Sequence, residues 1–496
     1  MTEAETAGPT PARAQTGDRK RWAALVVLCA GALMAIVDET IVNVALPVIR
    51  RDLGFTQSGL AWVTGTYLVA YAGLLLLSGR LGDLLGRKRI FVSGLVVFTA
   101  SSALCGAAWT APVLIAGRFV QGLGAAMMTA VLLGMIVTLF TDTRERATAI
   151  GAFGFVQAAG GSIGTFAGGM ITEVAGWHAV FFLNVPIGLI ALAFAVRLLA
   201  SERGTGLAAG ADFIGAALVT AALMVGIYTV ITVEDVGWAS AHTLGFGALS
   251  LVLLAAFGWR ERRAAQPLLP LRLLRSRGLV VANVAAFLMA GSMFGFMIVS
   301  VLLLRGPLGY GARDAGLAML PTPAVIGAIS LGLSARLIGR FGHRSVILAG
   351  LALIAAGLLL LTRVPADAAY ALDILPAMLL IGAGFGSALP AVMATGMTDA
   401  APEDSGLASG LFNTVTQFGG AIGLSVLTVL AATRTETLLT GGSGEREAAL
   451  GGYALAYAVA AAVVAAAFAA VAVLGGRVAD SGERVADSGG RVADSR

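Results

Sequence analysis

Long apolar runs, separated by short polar segments, follow one another along almost the whole chain. A helix needs about 20 mostly apolar residues to cross a bilayer. The pattern therefore predicts an all-α polytopic membrane protein with fourteen transmembrane helices. The first run is too long for a signal-peptide core, so we predict an uncleaved span there. The predicted spans begin near Trp22, Leu60, Ile90, Pro112, Ala147, Trp177, Ala211, Ala241, Gly278, Ala312, Val346, Ala371, Leu407 and Gly451.

The composition agrees with a membrane protein and excludes several other classes. Of 496 residues, 58% are hydrophobic and 12% are charged, whereas soluble proteins carry about 25% charged residues. The two lysines, Lys20 and Lys88, each follow an arginine, so the Gly-Lys pair of an ATP-binding P-loop is absent from the sequence. The scattered histidines and cysteines have no metal-ligand spacing. We predict no catalytic residue, metal, ATP or nucleic-acid partner.

The distribution of basic residues predicts the topology. If the amino terminus is cytoplasmic, 25 of the 33 Lys and Arg residues fall on the cytoplasmic side and seven on the other, while Arg118 stays inside a span. Cytoplasmic loops of membrane proteins carry such an excess of Lys and Arg. The predicted inner loop 398–405 is the exception, because it has neither residue type. We predict that both termini are cytoplasmic.

Two basic loops repeat. Gly79–Arg89 lies between spans two and three, and Ala335–Arg344 lies between spans ten and eleven; both contain Arg-Leu and a late glycine. Parallel repeats of this kind are typical of secondary transporters. They predict two six-helix bundles with spans seven and eight inserted between them. The predicted divisions are a disordered N-tail at 1–21, a first bundle at 22–200, an inserted pair with its basic loop at 201–277, a second bundle at 278–475 and a disordered C-tail at 476–496.

Several motifs carry a family resemblance. Gly79–Arg89 is one; the others are Thr40–Pro47 preceded by Asp38, Leu114–Ala126, Asn184-Val185-Pro186 and Gly406–Gly420. On these motifs the chain resembles the major facilitator superfamily, in its fourteen-helix drug:proton antiporter branch. The resemblance implies a monomer in the bacterial cytoplasmic membrane that exports small hydrophobic or amphipathic drugs by alternating access. The resemblance also implies that export needs no cofactor, because inward proton flow would drive it.

Three ionisable residues inside predicted spans are candidates for proton coupling. Asp38 and Glu39 lie deep in span one, and Arg118 lies in span four; charges at such depth are costly and usually functional. Neighbours on a helix point about 100° apart, so only one of the two carboxylates can face a given cavity squarely. The resemblance matches Asp38 to the family's acidic position and Arg118 to an arginine implicated in coupling. The alternatives are vestibule carboxylates and a structural arginine near the cytoplasmic end of span four.

The first basic loop is the candidate conformational latch. The resemblance implies that Arg80, Asp83 and Arg87 hold the two bundles together while the cavity is open to the outside. Such a contact can be broken and remade between two states. Lys88 and Arg89 are interpreted as topology signals only. Gly339 replaces the aspartate in the second loop, which predicts an asymmetric latch.

The remaining polar residues inside spans are candidates for the substrate cavity, with ordinary helix packing as the alternative. Met293 and Phe294 belong to an apolar cluster that suits varied hydrophobic ligands, and lipid contact is the other interpretation. The polar candidates are Tyr67, Gln121, Gln157, Asn283, Asn413, Thr416 and Gln417.

One departure from the family pattern keeps a second function open. The antiporter motif of span five normally reads Gly-Pro-x-x-Gly-Gly, and here Thr165 replaces the proline. An uncoupled facilitator or an importer on the same fold is therefore the alternative. A receptor without transport is disfavoured by the two loops and the polar span residues, and a membrane enzyme by the lack of a nucleophile–base pair.

Overall fold

The computed structural model describes residues 11–55, 57–200, 204–206, 212–264, 267, 269, 276–398 and 404–474. In this part of the chain the regular structure is entirely helical. The helices are α1 (Pro11–Leu53), α2 (Gln57–Leu85), α3 (Arg87–Gly106), α4 (Ala111–Leu139), α5 (Thr143–Phe182), α6 (Asn184–Leu198), α7 (Phe213–Val236), α8 (Ala241–Glu261), α9 (Arg277–Arg305), α10 (Ala312–Met319), α11 (Pro321–Gly332), α12 (Ser334–Leu361), a π-helical turn (Tyr370–Ile374), α13 (Leu375–Thr398), α14 (Ser405–Thr440) and α15 (Glu445–Leu474).

The helices confirm an all-α polytopic membrane protein. Among the described residues, thirteen helices are long and apolar enough to cross a membrane. One of them, Ala167–Leu198, contains a break at Gly176, where φ is 75°. The fourteen-span prediction places spans five and six on either side of this glycine. Lipid offers no hydrogen-bond partner to the backbone, which is why apolar runs of this length fold as helices.

The amino-terminal end of α1 differs from the prediction. Residues 11–21 were expected in a disordered tail, but they form the first turns of α1. Extending an existing helix is far easier than nucleating one. Arg21 also anchors this end through an ion pair with Glu145 at 3.3 Å and lies 5.8 Å from the ring centre of Phe140. The predicted tails at 1–10 and 476–496, with the carboxyl-terminal Arg-Val-Ala-Asp-Ser repeats, lie outside the described residues.

The helices pack into two groups. In the first, α1 packs on α5 and α6, and α4 packs on α2 and α3. In the second, α9 packs on α14 and α15, and α12 packs on α13 and α15. The groups meet where α14 lies against α2 and α4 and where α11 lies against α5. The hairpin of α7 and α8 covers this seam, because α7 packs on both α2 and α14. The predicted boundaries between bundles stay predictions.

Two glycines mark one end of the molecule. Gly86 separates α2 from α3 with φ of 100°, and Gly342 interrupts α12 with φ of 76°. Positive φ is easily adopted only by glycine, so the shared late glycine of the two basic loops makes the same kind of break in each repeat. We call this end, which carries both loops, the basic end.

At the basic end the two groups touch backbone to backbone. A Cβ placed on Gly79 of α2 would lie 2.5 Å from the carbonyl oxygen of Gly406 in α14. A Cβ on Gly134 of α4 would lie 2.8 Å from the oxygen of Ser405. Small residues let helices approach this closely. The basic end is therefore closed in this structure.

The inserted hairpin is fastened at the same end. Arg260, near the end of α8, donates from Nε and Nη2 to the carboxylate of Asp212, which caps α7 by accepting from the Gly215 amide. These hydrogen bonds from Arg260 hold the pKa of Asp212 below its usual value. The hairpin is thus closed by an arginine–carboxylate pair of defined geometry.

Candidate functional site

Asp38 lies at the centre of a closed polar network inside the first group of helices. It is completely buried, and one carboxylate oxygen pairs with Nη1 of Arg118. The other oxygen accepts from Nε2 of Gln121 at 2.8 Å and from Nδ2 of Asn184 at 2.9 Å. Buried carboxylates are stable only when paired and hydrogen-bonded in this way. The structure therefore brings three elements, α1, α4 and α6, to one carboxylate.

Arg118 is held from several sides. Its Nε donates to the carbonyl of Val63 at 3.0 Å, and its Nη1 also donates to Oε1 of Gln121 at 2.7 Å. The guanidinium lies 4.2 Å from the ring centre of Tyr67, a favourable cation–π distance. Arg118 lies close to the Ala111 end of α4, away from the basic end.

Two members of this network were not predicted. Asn184 was noted only as part of a family motif, and Ser102 was not singled out, yet Asn184 donates to Asp38 and Ser102 accepts from Gln121 at 2.7 Å. An amide side chain inside a predicted span was the available signal for Asn184. Ser102 is one of several polar residues in α3, and nothing in the sequence distinguishes it.

Glu39 faces a different space from Asp38. Its side chain is only partly buried, and the side-chain amide of Gln417 on α14 approaches it. Glu39 therefore faces the second group of helices, whereas Asp38 is enclosed within the first. The two adjacent carboxylates consequently have different polar neighbours. Asp38 is completely buried, whereas Glu39 is partly accessible to solvent.

The predicted substrate residues divide into three sets. Tyr67 and Gln121 belong to the buried Asp38 network rather than to an open cavity; Tyr67 donates to the carbonyl of Ala35 at 3.0 Å. Asn283 lies near the basic end of α9 and bonds Leu279 of its own helix. The third set holds the remaining candidates, which lie on α5, α9 and α14: Gln157, Met293, Phe294, Asn413, Thr416 and Gln417.

Members of this third set make contacts within and across the seam. Asn413 donates to the carbonyl of Ser409 on its own helix and reaches the Thr129 carbonyl of α4 at 3.5 Å. Thr416 bonds back to Phe412. The ring of Phe294 lies against Gly420. Asn413 thus lies where α14 meets α4, and the roles of the whole set in substrate binding stay predictions.

Asp83 joins the two groups at the basic end. Its carboxylate accepts from the backbone amides of Gly406 at 2.9 Å and Leu407 at 2.7 Å, which are free donors in the first turn of α14. Arg87, one turn further along the chain, holds the same carboxylate at 3.2 Å. A carboxylate at a helix amino terminus is stabilised by the amides and by the helix dipole.

The other residues of this loop have separate contacts. The structure brings Arg87 but not Arg80 to Asp83: Nε of Arg80 is buried without a hydrogen-bond partner in the described part of the chain. Lys88, interpreted as a topology signal, donates to the carbonyls of Val196 and Leu199 and so caps the end of α6. Lysine at a helix carboxyl terminus is favourable.

Two further observations concern the latch. Residues 204–206 of the linker dock on the end of α2, where the Thr205 and Gly206 amides donate to the carbonyls of Asp83 and Leu84.

Gly339, which replaces the aspartate in the second repeat, is exposed, and a Cβ added to it would have no described atom within 4 Å. The contact at Asp83 therefore has no counterpart at Gly339.

Sequence comparison places the chain among transport proteins. A family model described as Major Facilitator Superfamily matches residues 28–424. The chain is 36% identical over 471 residues to the puromycin resistance protein pur8 of Streptomyces alboniger, which covers 93% of this chain and 92% of that protein. It is 37% identical to the cephamycin export protein CmcT of Amycolatopsis lactamdurans, covering 83% and 85% of the two chains. The tetracenomycin C resistance and export protein of Streptomyces glaucescens is 32% identical, with 86% and 78% covered.

Solved structures resemble the fold at lower sequence identity. The human organic anion transporter MFSD10 (TETRAN) matches with a TM-score of 0.64 at 13% identity, covering 91% of this chain and 99% of that one. The proton:xylose symporter XylE, bound to 6-bromo-6-deoxy-D-glucose, matches with a TM-score of 0.60 at 14% identity, covering 90% and 95%. At these identities the likeness concerns the fold alone.

Proposed function

The chain belongs to the major facilitator superfamily, and from this premise we propose that it exports small hydrophobic or amphipathic antibiotics in exchange for protons. The observation that carries the proposal is the Asp38–Arg118 pair, which is completely buried inside the first group of helices. A titratable pair at this depth is costly to maintain and is typical of proton relays in transporters.

The names of the relatives support export of antibiotics. Three proteins that are 32–37% identical to this chain over most of its length are named for resistance to, or export of, puromycin, cephamycin or tetracenomycin C. Small amphipathic substrates are supported by Phe294, whose ring packs on Gly420 one turn along α14 from the polar Thr416. Pockets of mixed apolar and polar lining bind such compounds.

Coupling is proposed to depend on the charge state of Asp38. While Asp38 is ionised, Arg118 is neutralised inside the first group; protonation of the carboxylate would release the arginine charge and weaken the network. A change in charge at one site can select between two packings of the helices. The proton arrives from outside and leaves to the cytoplasm, so the gradient drives outward movement of the drug.

The contacts at the basic end supply the alternating access in this proposal. We place this end at the cytoplasmic face of a bacterial membrane, with both termini on that side, because Lys and Arg concentrate there. Asp83 then closes the cytoplasmic end through the first turn of α14, and opening requires that this contact break. Export needs no cofactor in this scheme.

The test is transport by the purified chain in proteoliposomes under an imposed pH gradient. We expect Asp38→Asn to abolish gradient-driven movement of puromycin, cephamycin and tetracenomycin C, whichever the wild type moves, because asparagine keeps the hydrogen-bonding shape but cannot take up a proton. Asp314→Asn, the same change on an exposed residue of α10, is the matched control and should transport as the wild type does.

Two outcomes would contradict the proposal. Full gradient-driven transport by Asp38→Asn would remove Asp38 from the coupling. Exchange of labelled drug that proceeds equally with and without a pH gradient in the wild type would favour the alternative, an uncoupled facilitator. The side chain of Thr165, which motivates that alternative, lies outside the described part of the structure.

A further inference from the structure

The first turn of α14 is capped by another helix. The first backbone amides of a helix have no partner within it, and the N-cap side chain normally accepts from the amide of the second or third helical residue. In α14 the N-cap residue is Asp404, and the second and third helical residues are Gly406 and Leu407. Both amides donate instead to the Asp83 carboxylate of α2, at 2.9 and 2.7 Å. Asp404 makes no capping hydrogen bond to its own helix.

Asp404 differs in this respect from the comparable residues of the other described helices. Where another of these helices has aspartate or serine at its N-cap, the side chain makes the cap bond, and ψ of that residue lies between 82° and 149°. These capping residues are Asp142, Asp212, Ser240 and Ser276. The ψ of Asp404 is 3°, outside this range. The residue type of Asp404 thus favours a cap, whereas its backbone conformation in this structure does not.

The repeat of the two basic loops provides an internal comparison. If the helix that leaves each basic loop is counted as the first, α5 and α14 are each the third, so Asp142 and Asp404 occupy equivalent positions. Asp142 caps its own helix, because its Oδ1 accepts from the second and third amides of α5. The second basic loop carries Gly339 where the first carries Asp83 and so offers no carboxylate to α5. The aspartate before α5 has no competitor for its cap, whereas the aspartate before α14 has one.

Asp83 and Asp404 compete for the same two amides, since each amide has one hydrogen to donate. A Cβ placed on Gly406 would lie 2.6 Å from Oδ1 of Asp83, so that carboxylate fills the space beside the first turn. Asp404 directly precedes this turn and is buried at the closed basic end, with 3% of its surface exposed. It therefore lies beside the amides that withdrawal of Asp83 would release.

We propose that Asp83 and Asp404 exchange the first-turn amides of α14 during transport: Asp83 holds them while the basic end is closed, and Asp404 holds them while it is open. This inference rests on the alternating access of the proposed function and adds Asp404 to it as a positioning residue. Without the exchange, opening would leave the two amides to water alone. A side-chain cap stabilises a helix more than water does. The cap by Asp404 therefore lowers the free energy of the open arrangement and makes the latch at Asp83 easier to release.

The experiment measures the ratio of open to closed molecules at the basic end of the purified full chain. Spin labels at Arg89→Cys and Arg336→Cys, two exposed positions on different groups of helices, give the two distances once the native cysteines are replaced by serine. The pH is chosen so that the labelled parent shows both distances. We expect Asp404→Ala to lower the open-to-closed ratio about fivefold, which corresponds to about 1 kcal/mol for a lost cap. Asp404→Asn and Asp404→Ser should stay within about twofold of the parent, because both residues cap helices about as well as aspartate does. Asp142→Ala, which removes the equivalent cap from α5, is the matched control and should leave the ratio unchanged.

Removal of Asp83 tests the competition directly. In an Asp83→Ala background Asp404 has no competitor and can cap α14 in both arrangements, so adding Asp404→Ala should change the ratio by less than about twofold. Each background is compared with its own parent, at a pH where that parent shows both distances. A structural contribution of Asp404 that is independent of Asp83 would lower the ratio equally in both backgrounds. Melting temperature and gel-filtration profile report folding of each variant. Asp404→Gln, which is not a preferred N-cap residue, takes the place of Asp404→Ala if the alanine variant does not fold.

The same samples distinguish failure of this inference from failure of the proposed function. If the parent shows both distances and transports under a pH gradient, an unchanged ratio in Asp404→Ala, or an equal change in both backgrounds, overturns the inference alone. If the parent shows one distance at every pH and moves no drug, alternating access fails and the exchange fails with it.

Discussion

Replacing Arg118 with methionine is expected to lower the free energy of unfolding by about 3–5 kcal/mol. The change removes every hydrogen-bond donor of the guanidinium but keeps an apolar chain of similar reach. The Asp38 carboxylate then remains completely buried without a cation. Gln121 and Asn184 still donate to it, but neutral amides do not offset a full charge in a low-dielectric interior. Thermal unfolding of the purified chain in detergent measures the loss.

A second substitution separates stability from transport. Adding Asp38→Asn to Arg118→Met removes the uncompensated charge and should recover most of the lost stability, because breaking a buried pair costs more than replacing both partners. Transport under a pH gradient should stay absent in the double variant, since no carboxylate remains in the network. Arg340→Met, the same change on an exposed arginine of α12, is the control for loss of a charge alone. A wild-type melting temperature for Arg118→Met would contradict the prediction.

Asp83→Ala is expected to open the basic end. The carboxylate accepts two backbone amides of α14, at 2.7 and 2.9 Å, across the seam. Hydrogen bonds to charged groups contribute about 1.5–3 kcal/mol each, so loss of both should shift the equilibrium toward the open arrangement by about a hundredfold or more. Transport should fall because the closed state at this end is then rarely occupied.

Spin-label distances across the basic end measure this shift. Labels at Arg89→Cys and Arg336→Cys, both exposed and on different groups of helices, should move apart in Asp83→Ala. The native Cys29 and Cys105 are replaced by serine beforehand. Asp142→Ala is a matched control, because Asp142 caps two amides of its own helix α5 and spans no seam. If the distances in Asp83→Ala equal those of the parent, Asp83 is not a latch.

Much of the architecture could be predicted from patterns along the chain. Apolar runs predict helices reliably in a membrane, because backbone polar groups can be satisfied only within the helix. The late glycines of the two basic loops were visible as a repeat, and both adopt the positive φ that breaks a helix. The start of α1 at Pro11 was missed, since a polar segment continues a helix when its neighbour is already folded.

The candidate site was only partly predictable. The depth of Asp38, Glu39 and Arg118 in their spans identified them as unusual. The same rule placed Tyr67 and Gln121 in a substrate cavity, whereas the structure encloses both in the Asp38 network. Depth along a helix is encoded locally, but the direction in which a side chain points depends on which helices surround it.

The sequence by itself determined that the chain crosses a membrane many times, which segments do so, and which few charged residues lie inside. These properties follow from local composition, because transfer of each segment into lipid depends mainly on its own side chains. Only the tertiary structure decided that Asp38 is paired with Arg118 and Asn184 while Glu39, its neighbour, meets Gln417. The different surroundings of Asp38 and Glu39 depend on packing between helices that are distant in sequence. Adjacent residues of α1 point about 100° apart, so one carboxylate faces the interior of the first group and the other faces the seam.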